Sequence, residues 1–362
     1  MKRKGFTLIE LLAVILILGI IALIAIPAVN NIIEQSKKGA FETTANNIVS
    51  VIEDACQLQE LKGETITTTY TFIDGEVSPS LNVKGNLPTS GTATVDKSCN
   101  VTLGVSNGKY TATKDNLTDS VIVINGKYDT YANGAGVYFN PETGEKCTAG
   151  EAVSTTGTKT GCMKWYAFND SGDLTSTVDL ILDHNTTALV AWNSTGSNTN
   201  GPSEILIQLK SDTSSWSGVP KRTDNYSVSN ETSIYTINYS TYNARLIKAS
   251  EIAKIAGNSS FVETSTPYTS WFYLDSNNQT QTATAIGTSN YSWLFDYTND
   301  CTIYGCNIAD ASNYGYWTST SIAGNTNYAW RVSRGGGLRN NSVEITDNNG
   351  IRPVITISKS SL

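Results

Sequence analysis

Few residues in this 362-residue chain have side chains suited to covalent or acid–base chemistry. Their spacing narrows what they can do. The one histidine, His184, lies in Asp179-Leu180-Ile181-Leu182-Asp183-His184-Asn185. Beside an aspartate it invites a nucleophile–base reading with one of the many serines. No G-x-S-x-G turn accompanies it, so a structural role is expected instead of hydrolysis. A single His also excludes a multi-His metal site. Six cysteines (Cys56, Cys99, Cys147, Cys162, Cys301 and Cys306) show no C-x-x-C spacing and so no thiolate metal cluster. In a chain that crosses a membrane, an even number of Cys points to disulfides, with about fifteen pairings open. Nearness in sequence favours Cys147–Cys162 and Cys301–Cys306, which leaves Cys56 for Cys99. A redox or catalytic pair at Cys301/Cys306 lacks a neighbouring base or thiolate-stabilising cluster. The acidic stretches Asn169-Asp170-Ser171-Gly172-Asp173 and Asp347-Asn348-Asn349-Gly350 could offer oxygens to Ca²⁺. Neither has the ligand ladder of an EF-hand loop, and solvated turns are expected. No catalytic residue, metal or cofactor is assigned, and the chain is expected not to be an enzyme.

The most informative ionisable group is Glu10. It follows a basic start, Lys2-Arg3-Lys4, and precedes an uncharged run from Leu11 to Val29. Nineteen residues at about 1.5 Å each make a helix of about 28 Å, close to the hydrocarbon thickness of a bilayer. A secretory signal has a shorter apolar core followed by a small-residue cleavage site. Here the apolar run passes directly into a polar helical pattern, Asn30 to Glu60. An unpaired carboxylate at the edge of such a helix costs at least about 2.5 kcal/mol, so Glu10 needs a partner. A cut after Gly5 would supply one, the free α-amino group of Phe6, from the same chain or from a neighbour.

Lys4-Gly5-Phe6-Thr7-Leu8-Ile9-Glu10 resembles the class III leader and first residues of type IV prepilins and pseudopilins. The resemblance implies cleavage between Gly5 and Phe6 by a prepilin peptidase, N-methylation of Phe6, and pairing of Glu10 with the Phe6 amine of an adjacent subunit during filament assembly. Gly19 and Pro27 fall where this family often places helix-loosening residues, and both are poor helix formers. Loss of residues 1–5 takes three cations from the 25 basic residues, leaving 22 against 32 acidic and a mature charge of −10.

The elements that position these groups follow from periodicity. Ala28, Val29, Ile32, Ile33, Phe41, Ile48, Val51, Ile52 and Ala55 recur at helical spacings, with Asn30, Glu34, Lys37, Lys38, Glu42 and Glu53 between them. One long helix over residues 6–60 is expected, its first half a membrane anchor and filament core, its second half amphipathic and packed on a head. From 61 to 130 the chain is strand-like and lacks Trp. Thr65–Ile73 is followed by an Asp74-Gly75 turn, Asn107-Gly108 is the best hairpin signal, and Val121–Ile124 runs into Asn125-Gly126. A small antiparallel sheet is expected there.

All seven Trp lie beyond residue 160, which marks a larger domain over 131–362. Strands are expected at Thr187–Trp192, Ile205–Leu209, Tyr235–Asn238 and Ile351–Ile357. A helix is expected at Ala249–Gly257, with Ser250 capping its start and Gly257 its end. Ala244-Arg245-Leu246-Ile247, Tyr316-Trp317-Thr318-Ser319-Thr320, Ala329-Trp330-Arg331-Val332 and Gly350-Ile351-Arg352-Pro353-Val354-Ile355 resemble the core of C-type-lectin-like and formylglycine-enzyme-like surface modules. That implies a fold more than an activity. The Trp and Tyr faces could stack on sugar rings, although core packing accounts for most of them first.

The fold class expected is α+β: a long N-terminal helical spine, a small antiparallel head and a larger irregular α+β domain, C-type-lectin-like. Only 16% of residues are charged, below the roughly 25% typical of soluble domains, and the formal net charge is −7. That excludes a polyphosphate-binding surface, and no direct nucleic-acid contact is expected. The function expected is that of a structural subunit of an extracellular type IV pilus-like filament, a homo-oligomer that displays its C-terminal domain for adhesion. Its partners would be the prepilin peptidase and an inner-membrane assembly platform, the cytoplasmic membrane before assembly, and a glycan or host-surface ligand. The alternative is a pseudopilin of a type II secretion or competence (DNA-uptake) machine.

Overall fold

A 55-residue helix, α1 (Leu8–Lys62), forms the amino-terminal spine. The computed structural model describes residues 8–362 apart from 116–119, 149–160, 187–188, 223, 259–260, 266–271, 274–290, 295–314, 334–336 and 347–348; the side chains of Glu10 and of residues 19–28, 272–273 and 292 also lie outside the described set. The chain divides into two compact units, Met1–Lys127 and Tyr128–Leu362.

In the first unit α1 packs on a six-stranded sheet made of β1 (Thr69–Ile73), β2 (Glu76–Ser78), β3 (Ser90–Val95), β4 (Val101–Ser106), β5 (Tyr110–Lys114) and β6 (Ile122–Asn125). Their order is β2-β1-β3-β4-β5-β6, and every neighbouring pair is antiparallel. Phe41, Ala45, Ile48, Val49, Ile52 and Cys56 descend one face of α1 at spacings of three and four and are buried against the sheet. The sheet answers with alternate residues, among them Tyr70 and Phe72 of β1 and Leu103 and Val105 of β4. Cys56 is tied to Cys99, in the turn between β3 and β4, with Cα atoms 5.7 Å apart. Sequence periodicity did not reveal β2 and β3. Ser-Gly-Thr-Ala-Thr-Val is too small and polar to read as a strand, yet Gly91 is required there: a Cβ on it would lie 2.1 Å from the Gly104 carbonyl oxygen of β4.

The second unit is built on two sheets. The first contains β7 (Ala135–Asn140), β8 (Glu145–Lys146), β9 (Met163–Phe168), β10 (Thr177–Leu182), β13 (Arg245–Leu246) and β19 (Pro353–Ser358), in the order β13-β19-β10-β9-β7-β8. Both of its faces are covered. Trp165, Leu180 and Leu182 point into one core with Trp192, Trp216 and Trp317, while Tyr166, Phe168 and Ile181 point into another with Ile252 and Trp330. Two-sided burial explains the near-continuous apolar run in β10. The second sheet has the order β14-β17-β16-β15-β18, with β14 (Phe272–Tyr273), β15 (Gly315–Ser321), β16 (Tyr328–Val332), β17 (Gly337–Ser342) and β18 (Asn349–Gly350). A hairpin of β11 (Asn225–Ser229) and β12 (Ile234–Asn238) and two helices, α2 (Ser203–Asp212) and α3 (Ala249–Ile255), complete the unit. The whole is α+β.

Three expectations for this unit need correction. Ile205–Leu209 is not a strand but the centre of α2. Ile205, Leu209 and Asp212 are buried at spacings of four and three while Ile207 is 71% exposed, so the apolar run follows a helical period that five residues were too few to show. Leu189–Trp192 forms no strand; Val190 N–H donates to the Asn349 carbonyl, Asn193 N–H to that of Val343, and Trp192 is buried as a core anchor. Ser250 does not cap α3. The Glu251 carboxylate turns back to accept the Lys248 N–H at 2.8 Å, whereas Ser250 N–H goes to Glu263. Gly257 closes the helix at φ +75°, as expected for a residue without Cβ.

The buried charges of this unit are paired across elements. Arg245 on β13 donates to Asp179 on β10 at 2.7 Å and to both oxygens of Glu251 on α3 at 2.6 and 2.7 Å. His184 is fully buried after β10, with Nδ1 3.9 Å from Asp183, beyond hydrogen-bond reach. Burial, with Arg352 nearby, holds the imidazole below its ordinary pKa against the pull of Asp183.

Two tests follow. Arg245→Ala should destabilise the second unit by about 3–5 kcal/mol in denaturant unfolding, because it strands two carboxylates; a loss under about 1 kcal/mol would show that the network is dispensable. A histidine kept neutral by folding binds its proton only when the chain unfolds, so stability should fall as pH drops below 6.5. Thermal melts of the second unit between pH 7.5 and 5.5 should show this slope, at most about 1.4 kcal/mol per pH unit, and His184→Gln should flatten it.

Candidate assembly surface

α1 is one helix in two environments. From Leu8 to Leu18 its described apolar side chains (Leu8, Ile9, Leu11, Leu12 and Val14 to Leu18) are 50–84% exposed, and Val29, Ile32 and Ile33 continue the bare surface. From Phe41 onward the apolar residues turn onto the sheet. Leu, Ile and Ala are strong or tolerable helix formers, which explains why the first half is helical without tertiary support. An exposed apolar stretch such as Leu8 to Leu18 is not stable in water, where patches beyond a few hundred Å² mark interaction or membrane surfaces. Among the described residues no helix is long and apolar enough to cross a membrane. α1 runs unbroken through Gly19 and Pro27. Gly5 and Phe6 lie outside the described residues, and so does the side chain of Glu10; only its place in the first turns of α1 is fixed.

Where the bare half gives way to the packed half, a polar cluster marks the exit of the helix. The Glu34 carboxylate accepts the Lys109 ammonium and, at 2.7 Å, the Tyr110 hydroxyl. The Asn107-Gly108 turn aims both at the helix: Gly108 adopts φ +85°, and the Asn107 side-chain oxygen accepts the backbone N–H of Lys109 at 3.1 Å and of Tyr110 at 2.9 Å. Hydrogen bonds from Lys109 and then Tyr110 lower the Glu34 pKa, and the same carboxylate raises those of Lys109 and Tyr110. In solvent such a cluster contributes little stability, so its effect is positional. Sequence reasoning placed the turn but not its partner on α1, because nothing local links residue 34 to residue 109.

The remaining candidates are committed elsewhere. Cys147 pairs with Cys162, Cα atoms 5.9 Å apart, while Cys301 and Cys306 lie outside the described residues. Asp170 is not in a solvated turn. It is buried, accepts N–H donors from Tyr131 and Gly172, and meets the Lys359 ammonium at 2.5 Å, because the chain end returns β19 to this loop. Asp347 and Asn348 lie outside the described residues, and Asn349 belongs to β18. Among the described residues no three His, Cys, Asp or Glu side chains stand together as a metal site. Trp165, Trp192, Trp216, Trp317 and Trp330 are fully buried and Trp293 nearly so, which leaves them no face for a sugar; Trp271 lies outside the described residues.

Comparison with known proteins bears on the same segment. Residues 1–26 match the prokaryotic N-terminal methylation motif. Over 74 residues the chain is 38% identical to a type IV major fimbrial protein, FimA, of Dichelobacter nodosus, an alignment covering 20% of this chain and 46% of the relative. The chain thus spans about half the length of that relative. No solved structure matches. The methylation motif falls on the segment that leads into the exposed apolar stem, and in that segment the chain resembles type IV pilins.

Proposed function

We propose that this chain is a structural subunit of an extracellular type IV pilus-like filament, and that the bare half of α1 is its polymerisation surface. The carrying observation is the contrast along one helix: exposed apolar side chains at Leu8 to Leu18 and again at Val29, Ile32 and Ile33, then a buried face from Phe41 to Cys56. Lipid before assembly and sister helices after it are two surroundings that remove such a surface from water. A prepilin peptidase cuts between Gly5 and Phe6, the new amine is methylated, and an inner-membrane platform passes the subunit from the cytoplasmic membrane into the filament. Glu10 pairs with the Phe6 amine of a neighbouring copy, so that neither charge stays bare among apolar helices and register is set. Gly19 and Pro27 let the helix yield during that transfer. The second unit is carried outward for adhesion, through surfaces other than its buried tryptophans.

Intact-mass analysis of sheared surface filaments should find a chain that begins at Phe6 and carries one methyl group; Met1 retained on filament material would refute the processing step. Glu10→Ala and Glu10→Gln should each cut filament yield on the order of a hundredfold while the precursor stays in the membrane, given a cost of about 2.5–3.5 kcal/mol for an unpaired charge there. Normal yield from both variants would remove the pairing. Purified filaments that bind neither a glycan array nor host cells would remove the adhesive role.

A further inference from the structure

The first unit carries complementary surfaces at two levels of one helix. A groove of about 870 Å³ opens beside α1, with Phe41, Leu87 and Tyr110 on its apolar side and Lys37, Lys84 and Lys109 around it. No carboxylate lines it. Glu34 is shared between Lys109 and Lys37 (4.0 Å), one carboxylate against the three lysines of the groove, so the groove keeps a positive character. Near the distal end of α1 the pattern inverts. Asp54, Leu58 and Leu61 fall on one stripe at spacings of four and three. Leu58 is 51% and Leu61 84% exposed, and Glu60 and Glu64 beside them are exposed too. A leucine pair with three carboxylates (Asp54, Glu60 and Glu64) and one ammonium (Lys62) around it therefore stands at one level, and an apolar groove with a basic surround at the other.

We propose that the Asp54/Leu58/Leu61 stripe of one copy seats in the Lys37–Lys84–Lys109 groove of a second copy, forming a head contact in addition to the helix bundle. This rests on the reading of the chain as a filament subunit. The two surfaces differ, so the contact is heterologous: each copy offers its stripe to one neighbour and its groove to another, and repetition gives an open helical polymer instead of a closed ring. The spacing is compatible with bundled stems. From Phe41 to the midpoint of Leu58 and Leu61 is about 28 Å along the helix, whereas the stem from Leu8 to Ile33 extends about 38 Å. Copies displaced by the first distance still overlap along the second. A lipid headgroup could satisfy the lysines but not the exposed leucines, which is why a second copy is the better occupant.

The test uses the full chain in filaments. Leu61→Cys and Asn86→Cys, the latter on the groove, combined in one chain should give an oxidation-dependent ladder of oligomers in assembled filaments, and neither single variant should. Lys84→Glu and Asp54→Lys should each lower filament yield roughly tenfold, and the double exchange should restore most of it. Unmodified chains that form filaments, with no ladder and no loss from either charge reversal, would overturn the contact while leaving the filament reading intact. Absence of filaments from the unmodified chain would take both down. Loss of precursor binding to phosphatidylglycerol vesicles in Lys84→Glu, with no ladder, would assign the groove to lipid and overturn the proposal.

Discussion

The constraint on which the rest depends is that one continuous helix must live in two solvents. α1 has no break between its bare and its packed halves, so whatever covers Leu8 to Leu18 and Val29 to Ile33 is mechanically coupled to the sheet that covers Phe41 to Cys56. Burial of apolar surface contributes about 25 cal/mol per Å², and the first half of the helix leaves that contribution unrealised within its own chain. The surface is thus a demand for a partner environment, and the second half is the handle by which a folded head is attached to it. The Cys56–Cys99 bridge near the distal end and the Glu34–Lys109–Tyr110 cluster at the proximal end fix both limits of that handle.

The second unit solves a different problem. With few charged residues in the chain, it buries several of them and pairs some across elements. Arg245 joins β13, β10 and α3, and Lys359 fastens the chain end to the Asp170 loop. Arg352 donates to the Leu182 and Trp293 carbonyls from a fully buried position. Large aromatics then fill both faces of the β13-to-β8 sheet. Such pairs add specificity of arrangement more surely than they add stability, because desolvation offsets much of their attraction. They suit a module with much irregular backbone, where regular layers alone would leave the loops free to rearrange.

Sequence and structure agree where local signals are strong. The long helix was written in its spacing, and the hairpin at Asn107-Gly108 in the one dipeptide best suited to its turn. They part where the signal is short or shared. Ile205–Leu209 is five residues of apolar character with no room to display a period, and packing of Ile205 and Leu209 against one core decided for the helix. β3 is polar and small, and it is a strand because β1 and β4 flank it and Gly91 lets β4 approach. The Asp170 loop has the composition of a solvated turn, and only the return of Lys359 from the far end of the chain buries it.

For this protein the sequence alone determined what depends on neighbours within a few residues: the leader motif, the apolar run, the helical periods and the turn dipeptides, because those are set by backbone preference and by which faces a short segment presents. It also bounded the chemistry available, since one histidine and sparse charge limit what any fold could assemble. Only the tertiary structure decided which half of α1 is covered and which is bare, that Glu34 would meet Lys109, that Arg245 would be shared by two carboxylates, and that the described tryptophans would face inward. Those outcomes arise from contacts between segments tens to hundreds of residues apart, where the entropy of bringing the chain together is repaid only by the whole set of contacts at once.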